Sequence, residues 1–308
     1  MSPGLPSSPV RWQRGWRFED GLRWPSDGIR MGDGVFETVR TYGRVPFELR
    51  AHLDRLRSGA AALALEGLPS VRSLEAEVRG RLLQRARRDR AISEWVLRPF
   101  LFAEQKTWGF HLSLDPLPEG AGSGRPITVG VSPLVHPGAS LRPPGSTGPV
   151  KWISRGPFAY ALREARRRGW EEALLVDPKG HVVEGTRSNV FAVVDGAVIS
   201  PGRRVGALPG ITREVVLRLR RRSGFSVLDR SITPGELRAA QEIFLTSALL
   251  GIAPVERIAG IPVGGGGAPG PVTAELMEQF QKFTRRPMPP RVVVGGRGGP
   301  GGVRPSAG

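Results

Sequence analysis

The stretch KWISRGPFAYALREARRRGWEEALLVDPKGHVVEGTRSNVFAVVDGAVISPGRRVGALPGIT, residues 151–212, contains the residues that decide the fold. It opens on Lys151, although the chain has 45 Lys and Arg residues and only three other lysines, Lys106, Lys179 and Lys282. A primary amine can attack an aldehyde and form a Schiff base, whereas a guanidinium, with its much higher pKa, cannot. Burial would lower the pKa of the Lys151 amine and free it to react. Lys151 is therefore a candidate nucleophile, although a lysine taken alone is more often a surface residue.

Glu184 ends the second of two strands predicted after this lysine. The apolar run EALLVD, residues 172–177, predicts a strand, PKGH at 178–181 predicts a turn, and HVVEG predicts the returning strand. A second hairpin, TRSNVFAVV and AVISP, turns at Asp195-Gly196. A carboxylate at a strand end can accept a hydrogen bond from a protonated pyridine nitrogen, or it can be a solvated hairpin charge.

The segment LPGITREVVLRLRRRSG, residues 208–224, predicts a helix that begins at Ile211 and Thr212 and ends near Arg222. The free backbone N–H groups and the dipole of such a helix start attract phosphate, and Thr212 adds a hydroxyl donor. An amine for an aldehyde, a carboxylate for a pyridine nitrogen and a helix start for a phosphate together suit pyridoxal 5′-phosphate (PLP).

Seven segments, in chain order, carry a resemblance to a known family. They are GDGVFETVRTY (32–42), PFELRAHLDRL (46–56), Lys151, EALLVDPKGHVVEGTRSNVF (172–191), LPGITR (208–213), EIFLTSALLGIAPV (242–255) and GPVT (270–273). In these segments the chain resembles the class IV aminotransferases, PLP-dependent enzymes of fold type IV that include branched-chain and D-amino-acid aminotransferases and aminodeoxychorismate lyase. The resemblance implies an α+β fold of two domains, a smaller N-terminal α/β lobe and a larger C-terminal lobe, with PLP in the cleft between them.

The resemblance also implies roles for individual residues. Lys151 would hold PLP and then act as the base at the substrate α-carbon, and Glu184 would keep the PLP ring electron-poor. Residues implied at the PLP phosphate are Arg55, Ile211 and Thr212, together with a hydroxyl from Thr246 or Ser247. Candidates for contact with the substrate are Thr38, Arg98 and one of the loop arginines, Arg203 or Arg204. Arg98 could equally be an outward strand residue, and the loop arginines could be solvated charges.

The implied reaction transfers an amino group between an amino acid, branched-chain or similar, and a 2-oxo acid. The alternative is 4-amino-4-deoxychorismate lyase, which releases pyruvate and 4-aminobenzoate, because GDGVFET and SALLGIAPV (247–255) look somewhat lyase-like. Relatives are homodimers, so a homodimer is expected. A third possibility, a basic nucleic-acid-binding protein, comes from the net charge of +17, but specific nucleic-acid binding is not expected because charge alone favours only non-specific contact.

The predicted organisation divides the chain at its Pro- and Gly-rich segments. In the N-terminal part, the patterns predict a strand at 35–42, helices at 49–65 and 70–90, and strands at 94–102 and 127–133. The predicted divisions are a disordered segment at 1–10, an N-terminal domain at 11–135, a linker at 136–150, a PLP-binding domain at 151–283 and a disordered basic tail at 284–308.

The amino-acid composition argues against several other classes of protein. The chain has no cysteine, so disulfides and thiolate metal sites are absent, and no metal site is expected. The sequence has no apolar run of the length that a membrane helix needs, and no signal-peptide pattern is recognised. We therefore expect a cytoplasmic protein whose partners are small-molecule substrates.

Overall fold

A computed structural model describes most of the chain. The described residues are 11–13, 16–19, 27–104, 107–136, 149–223 and 226–285. The predicted disordered segment at 1–10, most of the predicted linker and the predicted tail from residue 286 onward lie outside them. Among the described residues, no helix combines the length and apolar content needed to cross a bilayer.

The first of two sheets holds the N-terminal strands in the order β1-β2-β7-β6-β4-β5, with β3 also paired to β6. Its strands, within the described residues, are β1 (Arg11–Gln13), β2 (Trp16–Glu19), β3 (Gly34–Phe36), β4 (Val39–Tyr42), β5 (Val45–Pro46), β6 (Trp95–Glu104) and β7 (Thr107–Pro116). A short helix α1 (Asp27–Met31) precedes β3. The β6–β7 hairpin is the longest pairing in this sheet, and no strand was predicted from sequence for most of β7.

Two helices cover one face of this sheet. They are α2 (Leu49–Ala62) and α3 (Val71–Arg88), and Ser70 caps α3 by accepting a hydrogen bond from the Ser73 backbone N–H. The side chains that repeat every three or four residues along the two helices pack against alternate residues of β6, since a strand presents every second side chain to one face. The core residues from these three elements include Leu49, Leu53, Leu56, Leu74, Val78, Leu82, Trp95, Leu97 and Leu101.

The second sheet runs in the order β10-β9-β8-β15-β14-β11-β12-β13, with β16 paired to β15. Its strands, within the described residues, are β8 (Ile127–Val135), β9 (Glu172–Val176), β10 (Val182–Gly185), β11 (Asn189–Val194), β12 (Ala197–Ile199), β13 (Val227–Leu228), β14 (Glu242–Ser247), β15 (Gly251–Ile258) and β16 (Ile261–Pro262). Most neighbours are antiparallel, but β8 runs parallel to both β9 and β15, and β12 runs parallel to β13.

Helices pack on both faces of the second sheet. They are α4 (Gly156–Arg167), α5 (Ile211–Ser223), α6 (Pro234–Ala239) and α7 (Pro271–Arg285), and a 3-10 turn spans Arg203–Val205. Helices α5 and α7 share one apolar cluster with β11 and β14, whereas α6 belongs to a cluster on other strand residues. The structure therefore combines helices with two sheets whose strands are mostly antiparallel, and the expected α+β class is confirmed.

The structure corrects two details of the sequence prediction. Strand β8 lies within the predicted N-terminal domain of residues 11–135, but it pairs in the second sheet, because its partners β9 and β15 come much later in the chain. The strand predicted at 35–42 is interrupted at Glu37 and Thr38, although its register against β6 is unchanged on either side. The interruption coincides with the burial of the Glu37 carboxylate against α2.

Candidate active site

Lys151 lies where the second half of the chain returns to β3. The Phe36 backbone N–H donates to the Lys151 carbonyl at 3.1 Å, and the Ile153 N–H donates to the Gly34 carbonyl at 3.0 Å. These bonds carry the lysine side chain over the Phe36 ring, with Nζ 4.7 Å from the ring centroid. Burial lowers the pKa of the Lys151 amine to about 8, helped by the positive charges of Arg155 and Arg55 and opposed by Glu37 and Glu184. The amine is therefore much closer to its neutral, nucleophilic form than an ordinary lysine.

Glu184 is buried at the end of the β9–β10 hairpin, with 6% of its surface exposed. Its Oε1 lies 2.7 Å from His136 Nε2. Its Oε2 accepts hydrogen bonds from the Leu208 backbone N–H at 2.9 Å and from Asn189 Nδ2 at 3.3 Å. Convergence of N–H groups on one carboxylate suits the ionised form, which is the form that can bind a protonated pyridine nitrogen.

The same network fixes the start of α5. Asn189 donates from Nδ2 to the Leu208 carbonyl at 2.8 Å, so it holds both Glu184 and the loop before the helix. Gly210 is required in this loop, because a Cβ there would lie 1.8 Å from Asn189 Oδ1. Helix α5 then begins at Ile211, and Thr212 is buried within its first turn. The acid and the predicted phosphate-binding helix start are therefore joined through one asparagine.

Arg55 reaches this loop from α2, but its fork is occupied by a carboxylate. Its Nε and Nη2 donate to the two oxygens of Glu37 at 2.6 and 2.7 Å, and its Nη1 donates to the Pro209 carbonyl. His52 Nδ1 lies 2.8 Å from the same Glu37 carboxylate. Burial alone would raise the pKa of Glu37, but Arg55 and His52 overcome this and hold that pKa well below its usual range. The bidentate partner of Arg55 in this structure is thus Glu37, and one side of its guanidinium faces the α5 loop.

Thr246 and Ser247, the two hydroxyl candidates at the end of β14, differ in their surroundings. Thr246 is buried, pairs with Asn189 across the sheet, and its Oγ1 has no hydrogen-bond partner among the described residues. Ser247 Oγ accepts a hydrogen bond from the Leu250 N–H at 3.1 Å and so fixes the β14–β15 turn. A buried hydroxyl without a partner is costly unless a ligand supplies one, so Thr246 is the better fit to a phosphate oxygen.

One face of the first sheet extends from the lysine toward the predicted substrate residues. We call it the site face, defined by Phe36, Thr38, Arg98 and Phe100, which point away from the α2–α3 core because side chains alternate along a strand. The rings of Phe36 and Phe100 stack at 5.7 Å, and the β3–β6 and β4–β6 register places Thr38 opposite Arg98. Arg98 donates from Nη1 to Asp115 at 2.6 Å, which neutralises its charge. Thr38 and Arg98 therefore lie beside the two stacked rings, of which Phe36 contacts the lysine.

Arg203 is placed differently from the other predicted substrate residues. It and Arg204 lie exposed in the 3-10 turn that leads to the Leu208–Gly210 loop. Their position near the loop agrees with the sequence prediction, but contact with a substrate stays a prediction.

Several residues that sequence reasoning did not select are part of the site. Arg155 donates from Nη2 to the Thr186 carbonyl and lies 3.6 Å above the Phe158 ring. Glu37 and His136 hold Arg55 and Glu184, respectively. The only sequence signal for Arg155 was its position four residues after Lys151, and none pointed to His136.

Comparison with known proteins identifies the class. The family model described as amino-transferase class IV matches residues 34–258, and the chain belongs to this family of PLP-dependent enzymes. The branched-chain-amino-acid aminotransferase of Salmonella typhimurium is 29% identical over 281 residues, which cover 86% of this chain and 88% of that protein.

Solved structures confirm fold type IV. An aminotransferase from Brucella abortus bound to PLP matches with a TM-score of 0.73 and 26% identity, covering 89% of this chain and 98% of that one. A Legionella pneumophila protein named, provisionally, a 4-amino-4-deoxychorismate lyase matches with a TM-score of 0.73 and 21% identity, covering 86% and 98%. The second likeness concerns the fold alone.

The residues present fit the PLP that the family uses. The buried amine of Lys151 matches the aldehyde of PLP. The buried carboxylate of Glu184, which accepts from N–H donors, matches the ring nitrogen. The start of α5 and the Thr246 hydroxyl, which has no hydrogen-bond partner among the described residues, match the phosphate. Within the described part of the chain, no group of three or more His, Cys, Asp and Glu side chains could hold a metal ion. The chain is therefore a PLP-dependent class IV aminotransferase.

Proposed function

We propose that this aminotransferase acts on branched-chain or similar amino acids and a 2-oxo acid. The observation that carries the proposal is the position of the Lys151 amine, with its lowered pKa, 4.7 Å from the Phe36 ring on an apolar part of the site face. A small apolar side chain suits a surface formed by Phe36 and Phe100. The similarity to the Salmonella typhimurium enzyme points to the same substrate class.

In this proposal Lys151 has two tasks. Its amine would hold PLP through the aldehyde, and the same amine would move the proton at the substrate α-carbon. PLP supplies an electron sink for that step when its ring nitrogen is held by Glu184. The lowered pKa of Lys151 suits both tasks, since each needs the neutral amine near neutral pH.

The proposed phosphate site combines the first turn of α5 at Ile211 and Thr212 with the Thr246 hydroxyl and one side of Arg55. Ser247 supports it by fixing the β14–β15 turn. On the substrate side, Thr38 and Arg98 would contact the amino acid, with Arg98 already neutralised by Asp115. Arg203 would approach from the 3-10 turn that precedes the Leu208–Gly210 loop.

We also propose a homodimer, as the family resemblance implies, and a cytoplasmic location, which the absence of cysteine favours. Sedimentation of the purified protein tests the first. A mass near twice the 33.3 kDa of one chain supports it, and a monomer at micromolar concentration contradicts it.

The proposed reaction is tested by a donor screen on protein loaded with PLP, using leucine, isoleucine, valine, alanine, glutamate and D-alanine with 2-oxo acid acceptors. The branched-chain donors should give the highest kcat/KM. Lys151→Ala should abolish turnover, whereas Lys179→Ala, a change in the β9–β10 turn, should leave it intact. Pyruvate release from aminodeoxychorismate without amino transfer would overturn the proposal in favour of the lyase.

A further inference from the structure

His136 makes a buried contact that the reaction described above does not explain. It follows β8, it is 5% exposed, and its backbone N–H donates to the Val176 carbonyl at 2.7 Å. Its Nε2 lies 2.7 Å from Glu184 Oε1. Because an ionised carboxylate can only accept hydrogen bonds, Nε2 must carry the proton in this contact.

The two oxygens of Glu184 are held by different parts of the fold. Oε2 is bound by the Leu208 N–H and by Asn189, both of which belong to the α5 side of the site. Oε1 is bound by His136, which comes from the end of β8. Two separately anchored donors fix the plane of a carboxylate, whereas one would leave it free to rotate about its last bond.

The imidazole of His136 also contacts a side chain of α4. Its ring meets the Phe158 ring edge-on at 5.4 Å, and Phe158 lies beneath the Arg155 guanidinium at 3.6 Å. Arg155 donates to the carbonyl of Thr186, two residues after Glu184. These contacts run from Glu184 through the imidazole, Phe158 and Arg155 to the carbonyl of Thr186. A shift of the imidazole would therefore disturb the residues around Glu184.

We propose that His136 is a positioning residue that donates from Nε2 to Glu184 and orients this carboxylate toward the ring nitrogen of PLP. The proposal rests on the proposed function, in which Glu184 binds that nitrogen. Arg155 and Phe158 act one step further out, by holding the imidazole. A carboxylate oriented by a fixed donor would need no reorganisation to stabilise positive charge on a bound ring nitrogen.

The test compares His136→Leu, which removes the donor, with His136→Gln, whose amide nitrogen can replace Nε2. In the PLP-loaded enzyme, His136→Leu should lower kcat about tenfold to a hundredfold, the range for a hydrogen bond to a charged group, with KM for the amino donor changed little. His136→Gln should recover most of kcat. The visible absorption band of bound PLP should shift in the Leu variant and stay near its original position in the Gln variant.

Two further variants make the test decisive. His181→Gln, at the β9–β10 turn and away from Glu184, is the matched control and should change none of these quantities. If His136→Leu does not fold, His136→Asn replaces it, since its shorter amide keeps polarity but does not reach Oε1. Equal kcat and equal spectra in the Gln variant and the donor-less variant would overturn the proposal.

The same experiment separates the two proposals. If the unmodified enzyme transfers amino groups but His136→Leu or His136→Asn retains its kcat and spectrum, only the role of His136 is wrong. If the unmodified enzyme neither binds PLP nor transfers amino groups, the proposed function fails and the role of His136 fails with it.

Discussion

Two buried glutamates, Glu37 and Glu184, both raise the pKa of Lys151 and are held in different ways. Glu37 is 0% exposed and is clamped by the fork of Arg55 and by His52. Glu184 accepts hydrogen bonds from the Leu208 N–H and from Asn189, and its Oε1 contacts the imidazole of His136. Glu37 is part of a buried ion pair with a guanidinium, whereas no guanidinium among the described residues forms a hydrogen bond with the Glu184 carboxylate, so its charge can act on a ligand.

Burial of a glutamate does not by itself mark it as catalytic. Glu37 ties β3 and β4 to α2 and fixes the arginine that reaches the α5 loop. Glu184 faces the predicted ring site and links it to the helix start. We therefore expect loss of the Glu37 charge to affect folding most, and loss of the Glu184 charge to affect turnover most.

The largest expected effect is on stability, from Glu37→Gln. The change removes the charge that pairs with Arg55 and leaves a largely buried guanidinium, so the free energy of unfolding should fall by about 3–5 kcal/mol. Urea unfolding monitored by tryptophan fluorescence measures it. Glu66→Gln, an exposed glutamate in the loop after α2, is the control and should change it by less than about 0.5 kcal/mol. Equal unfolding curves for the two variants would show that the Glu37 charge contributes no more to stability than that of an exposed glutamate.

Glu184→Gln should lower turnover strongly and stability only slightly. Turnover should fall about a hundredfold, because a neutral amide cannot stabilise a protonated ring nitrogen. Stability should fall by only about 1–2 kcal/mol, since the amide oxygen still accepts from part of the donor set. Steady-state kinetics and the same unfolding assay measure both quantities. Retention of full kcat would show that the Glu184 charge does not serve the reaction.

Asn189 donates to Glu184 and lies opposite Thr246 across the sheet, so the hydroxyl of Thr246 belongs to the same part of the site. Thr246→Val keeps the shape of the side chain but removes the unpartnered hydroxyl, so PLP affinity should weaken about tenfold. Ser247→Ala should weaken it less and act mainly through the turn that Ser247 fixes. Titration of the PLP-free protein measures both. The reverse order of effects would assign the phosphate contact to Ser247.

The smallest expected effect is a shift in pH dependence. Since the pKa of Lys151 lies near 8, the rate at which the PLP-free protein captures PLP should rise with pH to a midpoint near 8. Both glutamates raise that pKa, and Glu37 does so more strongly, so Glu37→Gln should lower the midpoint more than Glu184→Gln. Stopped-flow absorbance at several pH values measures it. A midpoint near the ordinary lysine value, about 10.4, would contradict a perturbed amine.

Much of the second sheet and its site could be predicted because the signals are local. Alternation and apolar runs located β9, β10, β11 and β14, and the Pro-Gly pair before Ile211 located the start of α5. The scarcity of lysine singled out Lys151. The family motifs then supplied Arg55, Glu184 and the end of β14, and the family itself is confirmed.

The partners of these residues could not be predicted in the same way. Arg98 was one candidate for contact with substrate, and its pairing with Asp115 could not be predicted because it depends on β7, for which no strand was predicted. The fork of Arg55 was assigned to phosphate, whereas Glu37, 18 residues away in sequence, occupies it. His136 and Glu184 are 48 residues apart, and part of the chain between them forms α4 and β9. The periodicity of apolar residues indicates which side of a helix or strand is buried, but not which residues that side contacts.

The sequence by itself determined the chemistry of the site, because an amine, a carboxylate and a helix start are properties of residue type and local conformation. Only the tertiary structure decided how each group is used. The parallel pairing of β8 with β9 and β15 brings His136 to Glu184, and the α2 packing brings Arg55 to Glu37. The pKa of Lys151 likewise follows from burial among charges supplied by distant segments, since electrostatic effects depend on distance in space.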